Sequence, residues 1–172
     1  MLGDRSDWQS VVWKIARRLD HDDFPAAHLA QLRRLDPARP DGAAFWLLVN
    51  RFAEAALDDG RAERALAVTV HGMAIAYPFH FAERVSLGTA MAEAAISEAR
   101  LLRLLRTGPE HLPEEVRRLA RLMASKGEAG RFDWHDVFEL AFYPDSDRPR
   151  RRIAKDYYRR QYKLENPKGE AA

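Results

Sequence analysis

Arginines recur at helical spacing in two consecutive segments of the second half of the chain, residues 97–106 and 113–124. Within each segment the leucines fall on one side of a helix and the arginines on the other. A guanidinium suits paired hydrogen bonds to a phosphate, and arginines spaced along a surface bind a nucleic-acid backbone. The outward positions are Arg100, Arg103, Arg106, Arg117, Arg118 and Arg121. Because arginines outnumber acids on these faces, the pattern favours a backbone-binding surface over an ordinary solvated face.

Residue patterns typical of catalysis are missing from the sequence. The chain has no cysteine, no glycine-rich phosphate loop and no nucleophile elbow. Its six histidines are scattered without metal-ligand spacing, at His21, His28, His71, His80, His111 and His135. The acid pairs Asp22-Asp23 and Asp58-Asp59 fall at helix junctions, where caps and turns favour aspartate. We therefore expect a non-enzymatic protein with no catalytic residue, metal or cofactor.

Charge is divided unevenly along the chain. The net charge is only +2, yet residues 1–99 carry 11 Lys and Arg against 14 Asp and Glu, and residues 100–172 carry 17 against 12. The basic second half is the half expected to meet nucleic acid, whereas the N-terminal half is expected to contact protein more. The N-terminus does not resemble a signal peptide, and no long uncharged apolar run follows it, which predicts a cytoplasmic protein.

Apolar residues follow the 3.6-residue period almost throughout, and no segment alternates with period two. The sequence predicts an all-α fold of about eight or nine helices in two small bundles. The expected divisions are an N-terminal bundle at 1–90, a C-terminal bundle at 91–166 and a disordered tail at 167–172. Asp7 is the expected N-cap of the first helix. An alanine-rich helix near 89–95 should allow a close backbone approach.

The aromatic residues allow two interpretations. All four tryptophans lie within apolar stripes, which favours core packing over base stacking: Trp8, Trp13, Trp46 and Trp134. Tyr157, Tyr158 and Tyr162 lie among basic residues of the last predicted helix, where they could stack on bases or on arginine planes.

Five motifs in sequence resemble one known family. They are AHLAQLRRLDP at 27–37, Ser-Leu-Gly at 86–88, SEARLLRLLRT at 97–107, EEVRRLARLM at 114–123 and FDWHDVFELAFY at 132–143, followed by a basic helical end. Their order and spacing are similar to those of the small subunit of the type I-E CRISPR Cascade, the CasB family. The resemblance spans roughly residues 8–164.

This resemblance implies a helical, non-nuclease subunit that helps to hold the guide-target hybrid and the displaced non-target strand without reading bases. The implied partners are the other Cascade subunits, a second copy of the chain, guide RNA and target DNA. Thr89 departs from the family, because some relatives have a basic residue there. The nucleic-acid-binding positions that the resemblance implies are Arg33, Arg34, Arg61, Arg100, Arg103, Arg106, Arg118 and Arg121.

One alternative remains open at this point. A helical protein-interaction or regulatory module would show the same arginine faces, directed at acidic partner surfaces. That alternative predicts no direct affinity for single strands.

Overall fold

The computed structural model describes residues 5–167 and Gly169, with side chains from Trp8 onward. Over these residues the chain forms nine α-helices and no strand, which confirms the predicted all-α class. The helices are α1 (Arg5–Asp20), α2 (Ala26–Arg33), α3 (Ala43–Phe52), α4 (Gly60–Ala76), α5 (Leu87–Glu93), α6 (Glu98–Arg106), α7 (Leu112–Ala124), α8 (His135–Phe142) and α9 (Asp147–Glu165). Short 3₁₀ turns lie at Glu54–Ala56 and Gly127–Gly130. None of the described helices combines the length and the apolar character needed to cross a bilayer.

Helix α4 is the centre of the molecule. Asp59 caps its start, where Oδ1 accepts hydrogen bonds from the backbone N–H groups of Arg61 (2.9 Å) and Ala62 (3.3 Å). The helix is buried over most of its length and packs against α2, α7 and α8. It ends just before Pro78, because proline disfavours helix at the residue preceding it.

The buried hydrophobic side chains form one continuous core. Since α4 belongs to the first predicted bundle and α7 and α8 to the second, this core joins the two ranges 1–90 and 91–166. The division into two bundles stays a prediction. Of the predicted disordered tail, only Pro167 and Gly169 fall within the described residues.

Three of the four tryptophans pack in or against the core, as predicted, whereas Trp13 is half-buried and lies between Arg17 and Arg84. Trp134 is fully buried and its indole N–H donates to the backbone oxygen of His80. Trp8 stacks on Phe138 with ring centroids 5.1 Å apart, and Trp46 meets Phe45 edge-on at 5.2 Å. The Trp13 indole N–H donates to Oδ2 of Asp133 at 2.8 Å.

Helices α5 and α9 approach each other closely. At Gly88 a Cβ would collide with the backbone oxygen of Ile153, so only glycine permits this spacing. The predicted close approach is therefore present, but a glycine rather than an alanine lies at the nearest point. Ser86 caps α5, accepting a hydrogen bond from the Thr89 N–H at 3.2 Å. Thr89 thus belongs to the start of a helix.

Two expectations from the sequence are wrong in detail. Helix α1 begins at Arg5, so Asp7 lies inside the helix and is not its N-cap. In the last helix, the 3.6-residue period puts Arg152 opposite Ile153 and Tyr157 and so predicts an outward side chain, which is also wrong. Its guanidinium lies 2.5 Å from both Asp136 and Glu139, two buried carboxylates of α8. Periodicity places Arg152 outward because it takes no account of charges on a neighbouring helix.

Candidate nucleic-acid interface

Helices α6 and α7 present arginines outward because their apolar residues face the core. In α6, Leu101 and Leu104 are buried, and in α7, Val116, Leu119 and Met123 are buried. Pro113 lies in the first turn of α7, where its missing N–H costs no helical hydrogen bond. The amphipathic pattern of both segments thus has the predicted orientation.

A narrow groove of only about 20 Å³ lies between α6 and α7. Arg100 and Arg103 line it from α6, and Arg118 lines it from α7. The floor is apolar, formed by leucines and a methionine: Met91, Leu104, Leu119 and Leu122. Beyond this groove, Arg103 and Arg106 border a shallow depression on the outer side of α6. The arginines of the two helices therefore share one side of the molecule.

A second groove lies on the other flank of α7, against the end of α2. Arg33, Arg34 and Arg117 line it together with His71. The Arg33 Nε donates to the backbone oxygen of Ala74 at 2.9 Å, which ties the end of α2 to the last turn of α4. Arg33 therefore has a structural role in addition to any role in binding.

His71 lies at the second groove, below Arg117. Its Nδ1 lies 2.9 Å from the backbone oxygen of Leu32, and its side chain is buried. Burial lowers the pKa of His71, the contact with Leu32 opposes that shift, and the charges of Arg117 and Arg121 lower the pKa further. Arg121 follows Arg117 by four residues, so the two side chains share one side of α7. We name the combined surface the arginine face: Arg33, Arg34, Arg100, Arg103, Arg106, Arg117, Arg118 and Arg121.

Two glutamates in the first turn of α7 neutralise part of the arginine face. Glu114 pairs with Arg117 at 2.7 Å and with Arg118 at 3.3 Å. The hydrogen bond from Arg117 is the main reason why the pKa of Glu114 is lowered. Glu115, which is buried, accepts from the Arg103 Nε at 3.0 Å. Three of the eight arginines therefore have a carboxylate partner within the protein.

Four other members of the arginine face have no such partner. Among the described residues, no carboxylate lies within ion-pair distance of Arg34, Arg100, Arg106 or Arg121. All four side chains are exposed. An exposed guanidinium without an internal partner keeps its donors available for an external anion.

Replacing Glu114 with glutamine should strengthen binding of single-stranded DNA about fivefold, because it removes a negative charge, releases Arg117 and leaves Arg118 with only its longer pair to Glu115 at 3.7 Å. The measurement is the Kd of a labelled oligonucleotide at low salt. Glu128→Gln is the matched control, since Glu128 forms a similar pair with Arg131 (2.8 Å) away from this face. An unchanged Kd for Glu114→Gln would show that these two arginines do not meet the strand.

Arg61 does not join the arginine face. It lies in the first turn of α4, and its guanidinium is 4.4 Å from the centre of the Phe142 ring. Ala74, the contact of Arg33, is thirteen residues further along α4, or about 20 Å at 1.5 Å per residue. Conversely, Arg117 belongs to the face although it is not among the positions that the resemblance implies. The helical spacing of residues 113–124 places Arg117 on the outward side, and that spacing predicts its membership of the face from the sequence.

Comparison with known proteins agrees with this architecture. The family model for the CRISPR-associated protein Cse2 matches residues 28–158, a range that includes the whole arginine face. No curated protein sequence is significantly similar to the chain.

Among solved structures, a chain from the crystal structure of E. coli Cascade bound to a PAM-containing double-stranded DNA target has a similar fold. Its TM-score is 0.68 at 24% sequence identity, and the likeness covers 88% of this chain and 96% of that chain. The family match spans well over half of the sequence and confirms the resemblance found in the motifs. The chain therefore belongs to the CRISPR-associated Cse2 family, that of the type I-E Cascade small subunit.

Proposed function

We propose that this protein, as the small subunit of a type I-E Cascade complex, binds nucleic-acid backbone without sequence specificity. In this role it stabilises the guide-target hybrid and the displaced non-target strand. The observation that carries the proposal is the arginine face, in which four arginines are exposed and have no carboxylate partner among the described residues. The proposal assigns the chain no chemical step and no cofactor.

The residues around the α6–α7 groove suit recognition of charge rather than of bases. Apart from arginine, the α6–α7 groove is lined by apolar residues and Glu115. Sequence is read by hydrogen bonds to base edges, for which asparagine, glutamine and directed arginines are the usual donors and acceptors. Guanidinium groups spread along helices instead suit phosphates, which occur in every sequence. Sequence selection would then depend on base pairing with the guide.

The proposed partners follow from family membership and from the solved relative, which is part of E. coli Cascade bound to DNA. They are the other Cascade subunits, a second copy of this chain, guide RNA and target DNA, in the cytoplasm. Because several copies and subunits would share one strand, the isolated chain should bind more weakly than the assembly.

The experiment that tests the proposal is binding of labelled single-stranded DNA to the purified full-length chain, alone and assembled with its Cascade partners. Three oligonucleotides of unrelated sequence should bind with similar Kd values, more tightly in the assembly, and all should weaken as salt rises. Strong preference for one sequence would overturn the proposal. Absence of binding in both settings would also overturn it and would favour the protein-interaction alternative.

A further inference from the structure

Exposed apolar side chains are concentrated at the end of α9. Five large hydrophobic residues are exposed in the described part of the chain, and three of them lie in the last two turns of this helix: Tyr158 (42% exposed), Tyr162 (67%) and Leu164 (45%). Such a concentration marks an interaction surface. Leu164 follows Ile153 and Tyr157 along one side of α9 and is nevertheless exposed, because α9 extends beyond its last buried residue, Tyr157.

The two tyrosines belong to a basic stripe on α9. Arg151, Lys155, Tyr158 and Tyr162 are spaced by four, three and four residues, which puts them on one side of the helix. All four side chains are exposed, and Arg159 lies beside them. We name these four residues the α9 stripe. Basic side chains with aromatic rings between them are the usual composition of a surface that binds single-stranded nucleic acid.

Tyr158 is held in place on this stripe. Its hydroxyl donates to Glu98 at the start of α6, and its ring meets the Tyr157 ring edge-on, with centroids 5.4 Å apart. Tyr157 is itself buried and donates to the backbone oxygen of Ile96 at 2.7 Å. Tyr157 is therefore a structural residue, and it supports a neighbouring ring that remains open to solvent.

The α9 stripe continues the arginine face. The Tyr158 hydroxyl meets Glu98 at the start of α6, so the first turn of α6 lies beside the Tyr158 ring. Helices α6 and α9 are also joined where the Arg150 Nε donates to the backbone oxygen of Leu105 at 3.0 Å. A strand that crosses α7 and leaves α6 at Arg106 would therefore meet α9 near Arg151, the first residue of the α9 stripe.

We propose that the α9 stripe binds the same single strand as the arginine face, with unpaired bases stacked on Tyr158 and Tyr162 and phosphates held by Arg151 and Lys155. This inference rests on the proposed function. The charge around the rings favours nucleic acid as the occupant over an apolar protein surface. Stacking on an aromatic ring is indifferent to base identity, so it adds affinity without adding sequence preference.

The test compares a normal single-stranded oligonucleotide with an abasic one of equal length, using the full-length chain. Replacing Tyr158 and Tyr162 together with alanine should weaken binding of the normal oligonucleotide about fivefold to tenfold and leave binding of the abasic one unchanged. The matched control is Tyr158→Phe with Tyr162→Phe, which keeps both rings and should retain most of the affinity. Wild type should also quench a 2-aminopurine base in the strand, and the alanine variant should not.

The outcomes separate this inference from the proposed function. If wild type binds and the alanine variant binds both oligonucleotides equally well, the stacking proposal is wrong and the proposed function stands. If the alanine variant keeps full strand affinity but no longer assembles, the stripe is a protein-docking surface, which also overturns stacking. If wild type binds neither oligonucleotide, the proposed function fails first. Tyr162→Ala alone, at the more exposed position, provides the same comparison should the double variant fold poorly.

Discussion

Replacing Arg152 with methionine is expected to lower the free energy of unfolding by about 3 kcal/mol at pH 7. Asp136 and Glu139 are almost fully buried, and Arg152 lies 2.5 Å from both. Methionine fills much of the same space but removes the positive charge beside these buried carboxylates, and breaking a buried pair from one side costs about this much. The measurement is urea unfolding followed by circular dichroism.

The loss should be smaller at pH 5 than at pH 7. Burial raises the pKa of Asp136, although Arg152 and the Leu87 N–H both act to lower it. A group whose pKa is raised in the folded state stabilises the fold at low pH and loses that contribution as pH rises through its folded pKa. Without Arg152 the pKa of Asp136 rises further. Protonation of this carboxyl should therefore reduce the variant's loss of stability at pH 5. Arg151→Met, at the exposed neighbouring position, should change stability little. Equal losses at both pH values would contradict the electrostatic explanation.

Replacing Arg100, Arg106 and Arg121 together with alanine is expected to weaken single-strand binding about a hundredfold near 0.1 M salt. Each of these side chains is exposed and has no carboxylate partner among the described residues. Each phosphate contact releases bound counterions when it forms. Its loss should therefore lower the binding constant for a single strand about fivefold at that salt concentration. Because the three side chains contribute little to the core, thermal unfolding should change only slightly.

The matched control removes three basic residues that lie off the arginine face. Lys14, Arg51 and Arg64 are exposed, on α1, α3 and α4. Their replacement by alanine changes net charge by the same amount and should alter strand affinity only a few-fold. Equal losses in the two triple variants would mean that net charge, and not this surface, determines binding.

The strongly periodic parts of the fold are those that the sequence predicts best. In α6 and α7 the leucines and arginines separate so sharply that only one orientation buries the apolar side, and the structure has that orientation. The same 3.6-residue period in the other segments predicts the all-α class. The start of α1 is less predictable, because an aspartate inside the first turn resembles an N-cap in sequence.

The sequence predicts only some of the ion pairs at the site, because the others form between side chains of different helices. Glu114 reaches arginines of its own helix three and four residues away, so sequence spacing alone indicates those pairs. Glu115 reaches Arg103 across a helix-helix contact, and Arg152 reaches α8, which no periodicity reveals. Arg61 resembles the other basic positions in sequence, but the direction of α4 carries it away from them.

The measurement that tests the central claim most directly is the salt dependence of single-strand binding for three proteins: wild type, the Arg100/Arg106/Arg121 alanine variant and the off-face control variant. The slope of log Kd against log salt concentration should be about 2 units shallower in the arginine-face variant than in wild type, since three contacts at about 0.7 each are lost. The control variant should keep the wild-type slope. Parallel slopes for all three proteins would show that these arginines do not contact the strand and would contradict the proposed function of the arginine face.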